Sequence, residues 1–204
     1  MKPKGSITSI LFSSNERPFG LKWEEWTILW WKWFLAIPKE NNPALDNTGE
    51  KSTINQSYAN VWFLASTIGG KVERIVKIPS GTAVLFPVIN VTASKSENPA
   101  LKTESELRSF VKANMDDIEK KQAFIDDQEI VISEDFRVKT PPFEFSYPVD
   151  NIFGAQTGPA KGVGDGYWIF LKPLSKGEHH IRTSGSCLSG KIQIDANIRL
   201  IVEN

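Results

Sequence analysis

Apolar and polar positions alternate along residues 191–203. Ile192, Ile194, Ala196, Ile198, Leu200 and Val202 interleave with Lys191, Gln193, Asp195, Asn197, Arg199 and Glu203, and Ile201 breaks the rule. A period of two predicts a strand with one buried and one wetted face, the habit of antiparallel sheets. Shorter runs at 61–65, 72–78 and 82–91 read as a meander of strands with hairpin turns at Gly69-Gly70 and Pro79-Ser80-Gly81. Pro87 cannot donate to a ladder, so it puts the third of these at a sheet edge or a bulge. Phe124-Ile125 and residues 130–132 flank Asp126-Asp127 as a hairpin tip, and strands follow at 136–138 and 143–147. Residues 151–166, with five glycines, read as loop. Residues 167–171 carry large side chains on both faces, which predicts a central strand, and another strand starts at 179–182.

Two segments have the helical period. Over residues 21–37, at about 100° per residue, Trp23, Trp26, Trp30, Trp33, Phe34 and Ile37 share a face. Ile28, Trp31 and Leu35 form a second strip, with Glu25 and Lys32 left for water, and Pro38 stops the helix. A helix apolar on two sides is expected to be sandwiched between other elements. A second helix is predicted over about 104–120, with Thr103 and Glu106 as a capping box and Leu107, Phe110, Val111 and Ile118 as its stripe. The expected fold is a mostly-β, antiparallel sandwich with an N-terminal tryptophan-rich helix and one inserted helix. It forms a single domain over 1–204, in which residues 1–60 (helix and structured loop) pack on the sandwich of 61–204.

Composition narrows the function classes. Lys and Arg number 24, as do Asp and Glu, so the formal net charge is zero. No basic field is available for nucleic acid, and the polar face of the first helix has no basic excess for a membrane surface. Zero net charge makes homo-oligomerisation plausible and admits a purely structural or assembly role. One cysteine, Cys187, excludes an internal disulfide and suits a reducing compartment. The basic segment 1–5 is followed by an apolar piece broken by Thr8 and Ser9, too short for a signal peptide core. The expected location is cytoplasmic.

Several stretches together resemble an uncharacterised family of mostly microbial proteins. They are Trp30-Trp31-Lys32-Trp33, then Asn42-Pro43 with Asp46-Asn47-Thr48-Gly49 and Gln56, then residues 61–65. Arg74, Ile78-Pro79-Ser80-Gly81, residues 86–90, Asp165-Gly166-Tyr167-Trp168 and residues 173–179 complete the pattern. The resemblance covers most of the chain from Gly20 onward and implies no established activity. It implies that relatives often carry cysteines at the positions of Ser52 and Val76 and that many are secreted. This chain would have lost both partners together.

Seven tryptophans in one small domain admit three readings: core packing, an aromatic platform for a flat ligand or a sugar, and an interfacial membrane helix. The leading functional expectation is a small-molecule or carbohydrate-binding domain. Its cleft would be lined by Trp30, Trp31, Trp33, Trp62 and Trp168, with Arg74, Asp46 and His179 as polar anchors. An inward-facing Arg74 needs a carboxylate such as Glu24 or Asp46, and would either fix the helix to the sheet or hold an anion. The competing expectation is a hydrolase with His179 as acid or base and Asp165 as its partner. His179 and His180 are adjacent and point to opposite faces of a strand, and zinc spacings are absent, so no metal and no cofactor is expected. Residues 162–166 match a phosphate loop only in composition and read as a turn cluster.

Overall fold

The computed structural model describes residues 7–187 and 191–204; the basic segment 1–5 lies outside them. Ten strands among these residues form two sheets. The first sheet contains β1 (Val61–Phe63), β3 (Ala83–Ser94), β8 (Gly158–Leu171), β6 (Arg137–Lys139) and β7 (Phe143–Tyr147), in the order β1-β3-β8, with β6 and β7 both on the far side of β8. The second runs β2 (Gly70–Pro79), β10 (Ile192–Glu203), β9 (Gly177–Cys187), β4 (Lys120–Ile125), β5 (Gln128–Ile130). The mostly-β sandwich is therefore present. Both sheets are mixed, because β1 runs parallel to β3 and β2 parallel to β10.

Three layers result. Val84, Phe86, Ile169 and Leu171 of the first sheet face Val76, Ile78, Ile198 and Leu200 of the second. On its other face the first sheet packs Val61, Phe63, Leu85, Trp168 and Phe170 against α1 (Trp23–Leu35). Burial on both faces explains why residues 167–171 are uniformly large. Trp23, Trp26, Trp30, Trp31 and Trp33 are all buried, whereas Glu25 and Lys32 are exposed. Each indole removed from water contributes about 2–3 kcal/mol. Three indole N–H groups also find carbonyls: Trp26 to Pro18 at 2.7 Å, Trp30 to Leu64 at 2.9 Å and Trp33 to Ile54 at 2.8 Å. The helix starts where Glu25 reaches back to the Lys22 N–H at 2.7 Å.

The second helix, α2 (Glu104–Asp116), opens on the expected box: Glu106 N–H donates to Thr103 Oγ1 at 3.2 Å and Thr103 N–H to Glu106 Oε2 at 2.7 Å. It ends earlier than expected, since β4 begins at Lys120. Leu107 and Val111 cover Ala93 and Val163, so α2 extends the inner layer along β3 and β8. Asp126 and Asp127 form the β4–β5 tip with φ of 48° and 62°, the left-handed pair that a two-residue hairpin needs.

Two expectations fail. The meander does not form, because β2 and β3 lie in different sheets and residues 80–82 carry the chain from one to the other. Their burial shows why. β2 alternates buried and exposed positions, as an outer strand should, while β3 is buried almost throughout. Residues 158–166 are strand β8 instead of loop. Gly162, Gly164 and Gly166 fall on alternate positions because the Ala93 carbonyl, Trp31 and Asn90, respectively, occupy the space of a Cβ. One built on Gly164 would lie 2.7 Å from Trp31 Nε1, and one on Gly166 would lie 2.5 Å from Asn90 Cβ. Gly164→Ala is accordingly expected to cost about 1–3 kcal/mol of overpacking, read by urea denaturation. An unchanged midpoint would mean that Trp31 is not held against β8.

Candidate functional site

Beyond Leu85, β1 no longer accompanies β3, and no strand among the described residues pairs with that edge. Pro87 occupies this edge, and the register with β8 shifts between Pro87 and Ile89. Both readings of Pro87, edge and bulge, hold together. A cleft of about 280 Å³ runs along residues 87–92. Trp30, Trp31 and Phe34 of α1 line one side; Phe110, Asn114 and Met115 of α2 line the other. Cys187 and Ile192 come from the ends of β9 and β10, Ala44 from a single 3-10 turn, and Ser66 and Thr67 from a loop. The wall is mostly apolar, and the volume is at the small end of ligand sites, which start near roughly 300 Å³.

Polar groups interrupt that wall. Ser66 Oγ, Asn90 Nδ2 and Trp31 Nε1 are buried without a hydrogen-bond partner. Trp31 Nε1 faces the Gly164 backbone, which leaves the Ser66 and Asn90 groups as the ones a ligand could satisfy. Glu97 also lines the cleft. Its N–H donates to Ser94 Oγ at 3.2 Å, and the Tyr147 hydroxyl donates to its Oε2 at 3.3 Å. Burial pushes the Glu97 carboxyl up to about 7, and the Tyr147 hydrogen bond only partly opposes it. Burial also raises the Tyr147 phenol and the Cys187 thiol, so both are neutral near pH 7.

Of the sequence-predicted lining residues, Trp30 and Trp31 reach the cleft. Trp168, 1% exposed, backs both indoles edge-on at 5.0 and 6.1 Å without lining it. Trp33 packs on Phe63 instead, and Trp62, half-buried on β1, packs toward the core between the sheets. Arg74 and Asp46 are not polar anchors of the cleft; they hold the loops beside it. The Arg74 guanidinium donates to the carbonyl oxygens of Asp46, Ala65 (2.9 Å), Ser66 (3.0 Å) and Ala44 (3.1 Å). Burial lowers Arg74 to about 10. Its acceptors are main-chain carbonyls, so neither the expected carboxylate pair with the helix nor an anion site forms. The Asp46 carboxylate instead ties its own loop: Oδ1 accepts from Thr48 N–H at 2.8 Å, and Oδ2 from Gly49 and Lys51 N–H at 2.9 Å. Burial raises its pKa, but these donors outweigh that and leave it below its ordinary value. Gly49, at φ 97°, sits so close to β2 that a Cβ would lie 2.2 Å from Ile75 O. Ser52 and Val76 line one void of about 10 Å³ beside Arg74.

The hydrolase pair is not assembled. Asp165, 1% exposed, holds Arg137 through Nε at 2.9 Å and Nη2 at 2.8 Å, and Arg137 Nη1 reaches Asp116 at the end of α2 at 2.8 Å. This fork pins α2 and β6 to β8. His179 sits with the hairpin tip: Nδ1 is 2.7 Å from Asp126 Oδ2 and Nε2 is 2.9 Å from the Ser175 carbonyl. Ser175 Oγ is 3.4 Å from the same Nε2. Nε2 lies closer to that carbonyl than to the hydroxyl, whose 3.4 Å is long for a hydrogen bond. The trio has the residues of a catalytic triad without a short base-to-hydroxyl hydrogen bond. Asp126 Oδ1 also accepts from His180 N–H at 2.8 Å, which makes the cluster a hairpin clamp.

Sequence reasoning missed Glu97, Asn90, Ser66 and the α2 face of the cleft. The one local signal was an acidic residue seated among Ser94, Ser96 and Asn98, which reads as an ordinary polar loop. Among the described residues no cluster of His, Cys, Asp or Glu is arranged to hold a metal, and no helix is long and apolar enough to cross a membrane. No protein-family model and no curated protein matches the chain. The chain is similar to one solved structure, titled "Structure of PbICP-C in complex with falcipain-2", at 10% identity over 71% of this chain and 99% of that chain. Its TM-score is 0.28, too low to carry an argument about fold or partner.

Proposed function

We propose that this protein is a small-molecule-binding domain and that the cleft beside the open edge of β3 is its site. The observation that carries the reading is an aromatic-walled cleft, partly open to solvent, whose lining residues Ser66 and Asn90 hold buried polar atoms without partners. A group left unsatisfied in the interior costs about 1–3 kcal/mol, and a ligand offering hydrogen bonds would recover that cost. Trp30 and Trp31 are only 2% and 3% exposed, so neither presents the open indole face on which a sugar ring stacks. The reading therefore favours a compact, partly apolar molecule over an oligosaccharide.

The test uses N-phenyl-1-naphthylamine, a neutral reporter that brightens in apolar sites. Saturable brightening at one equivalent is expected, with quenching of the tryptophan emission. Thr67→Trp, which adds bulk to the lining, is expected to weaken binding at least about tenfold while lowering the urea midpoint only slightly, since the Thr67 hydroxyl holds just the exposed 67–69 turn. Reporter signal that rises without saturation, or that Thr67→Trp leaves intact, would refute the assignment.

A further inference from the structure

We propose that the cleft selects an organic cation, a protonated amine or quaternary ammonium on a partly apolar body, with Glu97 as its counter-charge. The inference rests on the binding-site reading above and adds the chemical class of the ligand. Three observations lead to it.

The first is the charge of the lining. Glu97 and Cys187 are the titratable side chains among the described residues that line the cleft, and the thiol is neutral. Among the described residues no lysine, arginine or histidine joins them, so a phosphate or carboxylate ligand would meet no positive group of theirs and would face the Glu97 carboxylate.

The second is the state of Glu97 itself. The Tyr147 phenol, reaching in from β7, is its side-chain partner, at 3.3 Å. From α1 and α2 the cleft receives only Trp30, Trp31, Phe34, Phe110, Asn114 and Met115, none of them titratable. A carboxylate withdrawn from water with no cation beside it favours its protonated form, and a ligand ammonium would restore the charged one. The position of Glu97 near 7 means that it can take either form at physiological pH.

The third is the aromatic wall. Phe110 and Phe153 are exposed on the cleft wall, with Trp30, Trp31 and Phe34 buried behind them, and aromatic rings attract cations that are stripped of water. Ser66 Oγ can accept from a protonated amine, whereas the Asn90 amide nitrogen only donates and would take an acceptor oxygen elsewhere on the ligand. An apolar cage with one carboxylate is the chemistry that recognises an amine.

The experiment compares 2-phenylethylammonium with 2-phenylethanol, which matches its size without the charge, as competitors of the neutral reporter. If only the ionised Glu97 binds the cation, affinity for 2-phenylethylammonium should fall roughly 100-fold between about pH 8.5 and about pH 5, while 2-phenylethanol changes little. In Glu97→Gln the cation should lose its advantage over the alcohol, each being compared against the reporter affinity of that variant. If the reporter binds and the alcohol displaces it at pH 8.5 as well as the cation does, the cation inference fails and the site remains. A preference for the cation that persists in Glu97→Gln would also overturn the role of Glu97. If the reporter itself does not bind, the site falls, and the inference falls with it.

Discussion

Arg74→Ala is expected to lose about 3–5 kcal/mol of stability, lowering the melting temperature by about 10 °C or more. The side chain projects from β2 at 5% exposure and donates to four carbonyls from two separate loops. A hydrogen bond from a charged donor is worth about 1.5–3 kcal/mol, and buried carbonyls left bare cost more than carbonyls that water can reach. Water entering the enlarged void would offset part of the sum, which sets the upper end of the range. Arg74→Lys should recover only part of the loss, since an ammonium cannot span four acceptors as the planar fork does. Ala44 and Ser66 lie both at the guanidinium and on the cleft wall, so the variant should also weaken reporter binding. Chemical denaturation and reporter titration check the two effects separately. A loss below about 1 kcal/mol would mean that the loops hold themselves.

Glu97 is expected to make the protein less stable as the pH rises. In the unfolded chain a glutamate titrates near about 4.3, whereas here it titrates at about 7. Below the lower value both states carry the proton, and the folded state pays no penalty. Between the two values the unfolded chain ionises first, and stability falls; above about 7 the loss is complete. The group is half-buried, so the full loss is discounted to about 2–3 kcal/mol. Glu97→Gln keeps the shape of the protonated acid and should match the native protein at low pH and exceed it above about pH 7. The difference between the two proteins is the quantity to measure, since Asp46, Asp116 and Glu134, held below their ordinary values, give the opposite slope. Parallel curves for the two proteins would remove the buried carboxyl from the account.

What was legible in the sequence was local. The Trp23–Leu35 helix, the Thr103–Glu106 cap, the Asp126-Asp127 tip, the β10 alternation and the peculiarity of Pro87 each depend on neighbours a few residues away. What was missed depends on distant chain. Gly162, Gly164 and Gly166 read as a turn because glycine usually marks one; their reason lies on other elements, in Ala93, Trp31 and Asn90. The sheet to which β2 belongs is decided by β10, which no local pattern announces. Asp165 was a candidate partner for His179 as an acidic residue at the start of another strand; Arg137 and Asp126 took those places. The cleft was half legible. The aromatic wall of α1 follows from its periodicity, but the meaning of Glu97 comes from burial among residues from α1, α2 and β7.

The parallel pairing of β2 with β10 sets an order of events during synthesis. β2 leaves the ribosome early with an apolar face and a bare ladder edge, and its partner follows only after the chain has advanced from Pro79 to Ile192. Until then that edge is open to a wrong neighbour, and a nascent chain of this kind gains from a chaperone that shields it. Dilute, cold refolding should yield more native protein than concentrated, warm refolding for the same reason.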